Sequence, residues 1–237
     1  SSKWLNQSKQ VVSGLESRHW NPKMGVYVDE VDPVYGTQGK RVSQHMNAMM
    51  VAFKFAPKNR WDAIVKKITN SSVARLTAAP PIVTGTGSFN PAKHIVATNT
   101  YFSRYLNDAL DCVGKFDQAI AKMRSNYREM VDAETSTLWE SYSDEASLCH
   151  VFSAGPVFQL IEKVVGVTPS RPGFDEVVVD VRTAGLTWAK ATIPTPHGNV
   201  VVSWEVKDAL LELEVGAPTK IKVNVKTPQG FRRQKRT

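Results

Sequence analysis

Apolar residues recur three and four positions apart over the first two thirds of the chain, then switch to strict alternation after Gly166. The first pattern predicts six helices, at 4–18, 43–55, 60–71, 100–113, 116–131 and 147–165. Pro57, Gly114 and the pair Gly166 and Pro169 stand where such helices would stop. The link between the fourth and fifth is a tight Gly-Lys, whereas 21–42, 72–99 and 132–146 are long and rich in Gly, Pro, Thr and Asp. Loops of that length inside a compact domain usually carry function. The second pattern, in "FDEVVVDVR", "LTWAKATIPT", "GNVVVSWEVK", "ALLELEVG" and "KIKVNVKT", predicts about five short strands separated by Pro-Gly, His-Gly and Ala-Pro turns. The expectation is α+β: helical hairpins, then a small antiparallel sandwich in which Trp188 and Trp204 are buried.

Amphipathic helices this rich in Trp, Phe, Tyr and Met need a surface to pack on, and three hairpins close poorly on themselves. They read as part of a larger ring. The chain also starts inside its first helix with no initiator methionine, which points to a longer parent.

Composition changes this picture little. At 237 residues and 42% hydrophobic, the chain can bury a substantial core as one large or two smaller domains. The net charge of +8 falls to +4 without the terminal "FRRQKRT", so the basic excess is largely a solvated tail, and nucleic acid is not the expected partner. Cys112 and Cys149 lack zinc or redox spacing and read as two buried thiols or, in an oxidising compartment, as a disulfide. With no apolar run of about 18 residues, no membrane partner is expected either.

The chemistry concentrates in "STLWESYSDEASLCHVFSAGP", 136–156, where Trp139 and Glu140 precede His150 by about ten residues. One reading is structural: a surface carboxylate beside a core tryptophan. The other is a sugar site, since aromatic faces stack on sugar C–H groups while carboxylates and imidazoles bond hydroxyls. Asp29, Glu30 and Asp32 form a second acidic loop, while His19, His45, His94 and His197 have no metal-ligand spacing. "GTGS" at Gly85 opens no helix that could cradle phosphate, and neither a GxSxG elbow nor a dinucleotide fingerprint is present. No metal or cofactor is therefore predicted.

The stretch from "TSTLWESYSDEASLCHVFSAGP" through "VGVTPSRPGFDEVVV" to "LTWAKATIPTPHGNVVVSW" resembles the C-terminal portion of the α-L-rhamnosidases of glycoside hydrolase family 78. Upstream, "RVSQHMNAMMVAFKFAP" and "ATNTYFSRYLNDALDCVGKFDQAI" resemble the preceding helices of the same catalytic domain. The resemblance implies the second half of an (α/α)6 six-hairpin barrel over 1–167, a β-sandwich over 168–230 and a basic tail over 231–237. It further implies inverting hydrolysis of terminal α-L-rhamnosides, with a rhamnose-containing glycoside or polysaccharide as substrate. Glu140 matches the general base, His150 a sugar-contacting histidine, and Trp139 and Tyr101 the pocket wall. The family's general acid comes from the first half of the barrel, and Asp29, Glu30 and Asp32 do not match it. The missing N-terminal part of the parent is thus an expected partner, and this chain alone is expected to hydrolyse little. Two other readings remain open: a non-catalytic carbohydrate-binding or structural remnant, and an interaction module whose helical face docks on a partner.

Overall fold

The computed structural model describes residues 2–76 and 89–226. The "GTGS" segment and the basic tail lie outside these residues. The chain divides into two compact units, Ser1–Ser153 and Ala154–Thr237.

The first unit is mainly helical. Helix α1 (Ser2–His19) has no buried residue and leads into a short hairpin, β1 (Trp20–Asn21) and β2 (Val26–Tyr27). Its core forms where α2 (Gln44–Ala52), α3 (Trp61–Ile68), α4 (Ser103–Cys112) and α5 (Phe116–Asn126) present apolar residues at helical spacing. Ile64, Val65 and Ile68 of α3, Met50 and Val51 of α2, Leu106 and Leu110 of α4, and Phe116 and Ile120 of α5 are buried there.

Polar residues inside this core are paired. Asn47, at 0% exposure, accepts from the Tyr27 amide and donates to the Tyr27 carbonyl, both at 2.8 Å, holding β2 against α2 as a strand partner would. Gln44 donates to the Ile68 carbonyl and accepts from the Thr98 amide, each at 2.7 Å, so the segment after β4 (Ile95–Val96) is fixed to the start of α2. β4 also pairs in parallel with β3 (Ala74–Arg75).

Two of the expected helices are broken. The 116–131 helix ends at Tyr127, whose φ of −98° and ψ of 3° separate α5 from the short α6 (Arg128–Asp132). The 147–165 helix does not begin until Gly155: a 3-10 turn at Val151–Ser153 precedes α7 (Gly155–Leu160), because Pro156 has no N–H to continue a helix from before it.

In the second unit α7 runs on as a π turn, Ile161–Val165, that stops at Gly166. Gly166 has φ +86°, and a Cβ there would sit 2.3 Å from the Asp180 carbonyl oxygen, so no other residue fits without movement. Two three-stranded sheets follow. β7 (Trp188–Ile193), β8 (Val200–Lys207) and β9 (Leu210–Gly216) form an antiparallel meander. The other sheet has the order β10 (Lys222–Lys226), β6 (Glu176–Asp180), β5 (Val167–Pro169). The expected all-antiparallel arrangement fails here: β10 pairs with β6 in parallel, Val223 opposite Val177, because the whole meander lies between them and returns the chain in the same direction. Trp204 is 2% exposed and its indole N–H donates to the Val164 carbonyl at 3.2 Å. Trp188, expected to be buried, is instead 66% exposed on the outer face of β7.

Candidate functional site

Glu140 sits on a loop that the chain closes on itself. The His150 amide donates to the Leu138 carbonyl at 2.7 Å and the Glu140 amide to the Ser147 carbonyl at 2.8 Å, while the Thr137 hydroxyl donates to the Leu148 carbonyl. Between these rungs, the Ser141 hydroxyl bonds the Ser143 carbonyl at 2.9 Å and turns the tip. Neighbouring side chains of this loop take opposite sides. Trp139 accordingly faces inward at 3% exposure, in a cluster with Tyr127 and Met130, and its indole N–H donates to the Thr135 hydroxyl at 3.1 Å. Glu140 faces solvent, and its Oε2 accepts from the Ser147 amide at 3.4 Å.

The loop's exit places His150 against an aromatic pair. Its imidazole meets Phe152 edge-on with centroids 4.2 Å apart, and Phe152 stacks on Tyr101 at 5.4 Å and 19°. Tyr101 is 36% exposed and also contacts Phe102, whose ring meets His45 at 4.6 Å. Burial lowers the pKa of His45 and holds it toward the neutral form. Thr100, next to Tyr101, donates its hydroxyl to the Glu140 carbonyl.

The structure therefore brings His150 and Tyr101 together through Phe152 and ties the Glu140 backbone to the residue beside Tyr101. Trp139 lies behind this set, in the core. Phe152 and Thr100 were not singled out from sequence, although both lie in the stretches that carry the family resemblance.

The acidic loop is built differently. Asp29 accepts from the Ser43 hydroxyl at 2.7 Å and from its amide at 3.2 Å, while Ser43 itself caps α2. Burial raises the pKa of Asp29 and the Ser43 hydrogen bonds oppose the rise. Glu30 lies 3.6 Å from Arg41, and Asp32 accepts from the Val34 and Tyr35 amides, a turn-forming use of its carboxylate. The remaining histidines have local partners: His19 the Val28 carbonyl, His94 the Asn90 amide and His197 the Asp175 carboxylate. Cys112 is half-buried and Cys149 exposed, which corrects the expectation of two buried thiols. Among the described residues no group of three or more His, Cys, Asp or Glu could hold a metal ion, and no helix is long and apolar enough to cross a membrane.

Comparison with known proteins extends this geometry. Residues 166–236 match the family model described as the bacterial α-L-rhamnosidase C-terminal domain. An α-L-rhamnosidase of Formosa agariphila is 29% identical over 141 residues, 52% of this chain and 15% of that protein. A GH78 family rhamnosidase of Bacillus sp. GL1 superposes with a TM-score of 0.79 at 23% identity, covering 100% of this chain and 24% of that one. A Streptomyces avermitilis α-L-rhamnosidase solved in complex with L-rhamnose superposes at 0.66 with 17% identity, covering 94% of this chain and 20% of that one. The fold is that of the family 78 rhamnosidase of Bacillus sp. GL1, and residues 166–236 are similar to the C-terminal domain of the bacterial α-L-rhamnosidases. These similarities support a fragment of an α-L-rhamnosidase of glycoside hydrolase family 78, and the chain spans a quarter or less of the length of the relatives named here.

Proposed function

We propose that this chain supplies the general-base side of an inverting α-L-rhamnosidase. Glu140 would activate the water that attacks the anomeric carbon, and the general acid would come from sequence outside these 237 residues. Residues 1–167 would then be the second half of an (α/α)6 barrel and 168–230 a β-sandwich. His150 and Tyr101 would contact the sugar, with Phe152 fixing both rings, and Trp139 would support the pocket wall from the core.

One observation carries this reading. A solvent-facing carboxylate is fixed at its amide, its carbonyl and its Oε2, on a loop whose exit presents an imidazole and two stacked rings. A general base needs that combination of exposure and restraint, because its water must be held on one face of the sugar. The substrate would be a rhamnose-containing glycoside or polysaccharide. In an inverting enzyme the acid must sit about 6.5–9.5 Å away across the scissile bond. That separation leaves room for water.

The test is hydrolysis of 4-nitrophenyl α-L-rhamnoside by the chain supplied with the N-terminal part of a family 78 relative, followed by NMR of the released anomer. Glu140→Gln should cut turnover by roughly two to four decades while leaving rhamnose affinity in place. The initial product should be β-L-rhamnose. Retained turnover in Glu140→Gln would remove Glu140 from the mechanism, and initial α-product would exclude inversion. Rhamnose binding that never leads to turnover, with either form, would favour the carbohydrate-binding remnant.

A further inference from the structure

We propose that Thr100 is a positioning residue for Glu140, an inference that rests on Glu140 being the base. Thr100 is 0% exposed, and its hydroxyl donates to the Glu140 carbonyl oxygen at 2.5 Å. The carbonyl of Thr100 in turn accepts from the Ser103 hydroxyl at 2.7 Å and lies 3.2 Å from the Tyr127 hydroxyl. Tyr127 also reaches the Ser153 carbonyl at 3.1 Å, just beyond the loop's exit, and Ser153 is itself buried and bonds the His150 carbonyl at 2.7 Å. Tyr142, from the loop's tip, donates to the Asn99 carbonyl at 3.3 Å. These groups tie the entry, tip and exit of the loop that carries Glu140 to the segment before α4.

The direction of control follows from what holds Glu140. Its amide and its carboxylate are both bonded to Ser147, across the loop, so those two contacts persist only while the Glu140 backbone keeps its place opposite Ser147. The Thr100 hydroxyl bonds the Glu140 backbone from outside the loop, from the segment before α4, on the far side of the peptide from the anchored Trp139. A β-branched side chain with no exposed surface is restricted at χ1, which limits where its hydroxyl can point. Burial raises the pKa values of Tyr127 and Tyr142, so both phenols stay protonated over the working pH range and the lattice does not titrate with the base. A displacement of the base by about 1 Å can cost on the order of a hundredfold in rate, so a contact this far from the water can govern turnover.

The Ser147 amide, which donates to Glu140 Oε2, reports the carboxylate directly. In the 15N-labelled chain its proton shift is followed across the carboxylate titration range in the parent and in Thr100→Val, Thr100→Ser, Thr100→Cys and Glu140→Gln. The expected result is a pH-dependent shift that Glu140→Gln abolishes, Thr100→Val largely abolishes, and Thr100→Ser restores. Thr100→Cys, a weaker donor, should fall between and serves if the valine form does not fold. A parent-like titration in the folded valine or cysteine form would overturn the proposal. Where the reconstituted protein turns over, Thr100→Val should lower kcat by about tenfold to a hundredfold with KM unchanged. A loss confined to KM would also overturn it. Failure of every form to turn over, with the amide responses intact, would count against Glu140 as base and leave the positioning contact standing.

Discussion

His45 shows how a single residue's surroundings set its chemistry. Histidine in water takes up a proton near its ordinary value of 6.5, but burial against the Phe102 ring lowers that value in the folded chain. The sign follows from proton binding in the two states. Below the ordinary value the unfolded chain takes up a proton that the folded chain refuses, so the stability due to neutral His45 is present above pH 6.5 and is lost as pH falls through the lowered value. His45→Gln removes this linkage. Urea midpoints measured from pH 8 down to pH 5 should therefore fall more steeply for the parent than for the variant. Parallel curves would show that His45 is solvated in the folded state. Trp139 and Glu140 make the same point about surroundings: adjacent in sequence, one faces the core and the other solvent.

At the scale of elements, the two strand tryptophans separate packing from exposure. Trp204 fills the interior beside Val164, so Trp204→Ala should destabilise by about 3–5 kcal/mol. Trp188 stands on the outer face of β7, opposite Glu205, and Trp188→Ala should change stability by no more than about 0.5 kcal/mol. Chemical denaturation of both variants decides this, and a large loss for Trp188→Ala would mean that its ring is covered. The strands themselves were legible because alternation is a local signal, and α2 to α5 because their apolar spacing is. The outward position of Trp188 was not legible, since alternation says that neighbours face opposite ways without saying which face is covered. Nor was the parallel β10–β6 pair, which joins strands some 46 residues apart. At the candidate site, the residue types of Glu140, His150 and Tyr101 were readable from a short stretch. Thr100 was missed because a buried hydroxyl bonding a carbonyl 40 residues away leaves no pattern in the chain.

The whole molecule consists of two compact units, each with its own polar and apolar core, and this bears on how it should unfold. In the first, Asn47 satisfies both backbone groups of the buried Tyr27, so Asn47→Ala strands a buried amide and a buried carbonyl, at about 1–3 kcal/mol each. In the second, Gly166 combines a left-handed φ with direct approach to the Asp180 carbonyl, so Gly166→Ala carries backbone strain of about 1–3 kcal/mol and a clash that must be relieved by movement. Calorimetry of the parent should show two transitions, with Asn47→Ala lowering one and Gly166→Ala the other. Of the six tryptophans, Trp188 and Trp204 lie in the second unit and Trp4, Trp20, Trp61 and Trp139 in the first. Fluorescence of a chain that retains only the Trp204 indole should therefore follow the transition that Gly166→Ala lowers. A single transition lowered equally by both substitutions would mean that the units fold as one cooperative body. Strain introduced at Gly166 would then reach the loop that carries Glu140, and Gly166→Ala should also disturb the Ser147 amide that reports that carboxylate. With two transitions, the same amide should be unmoved by Gly166→Ala at temperatures where both units are folded.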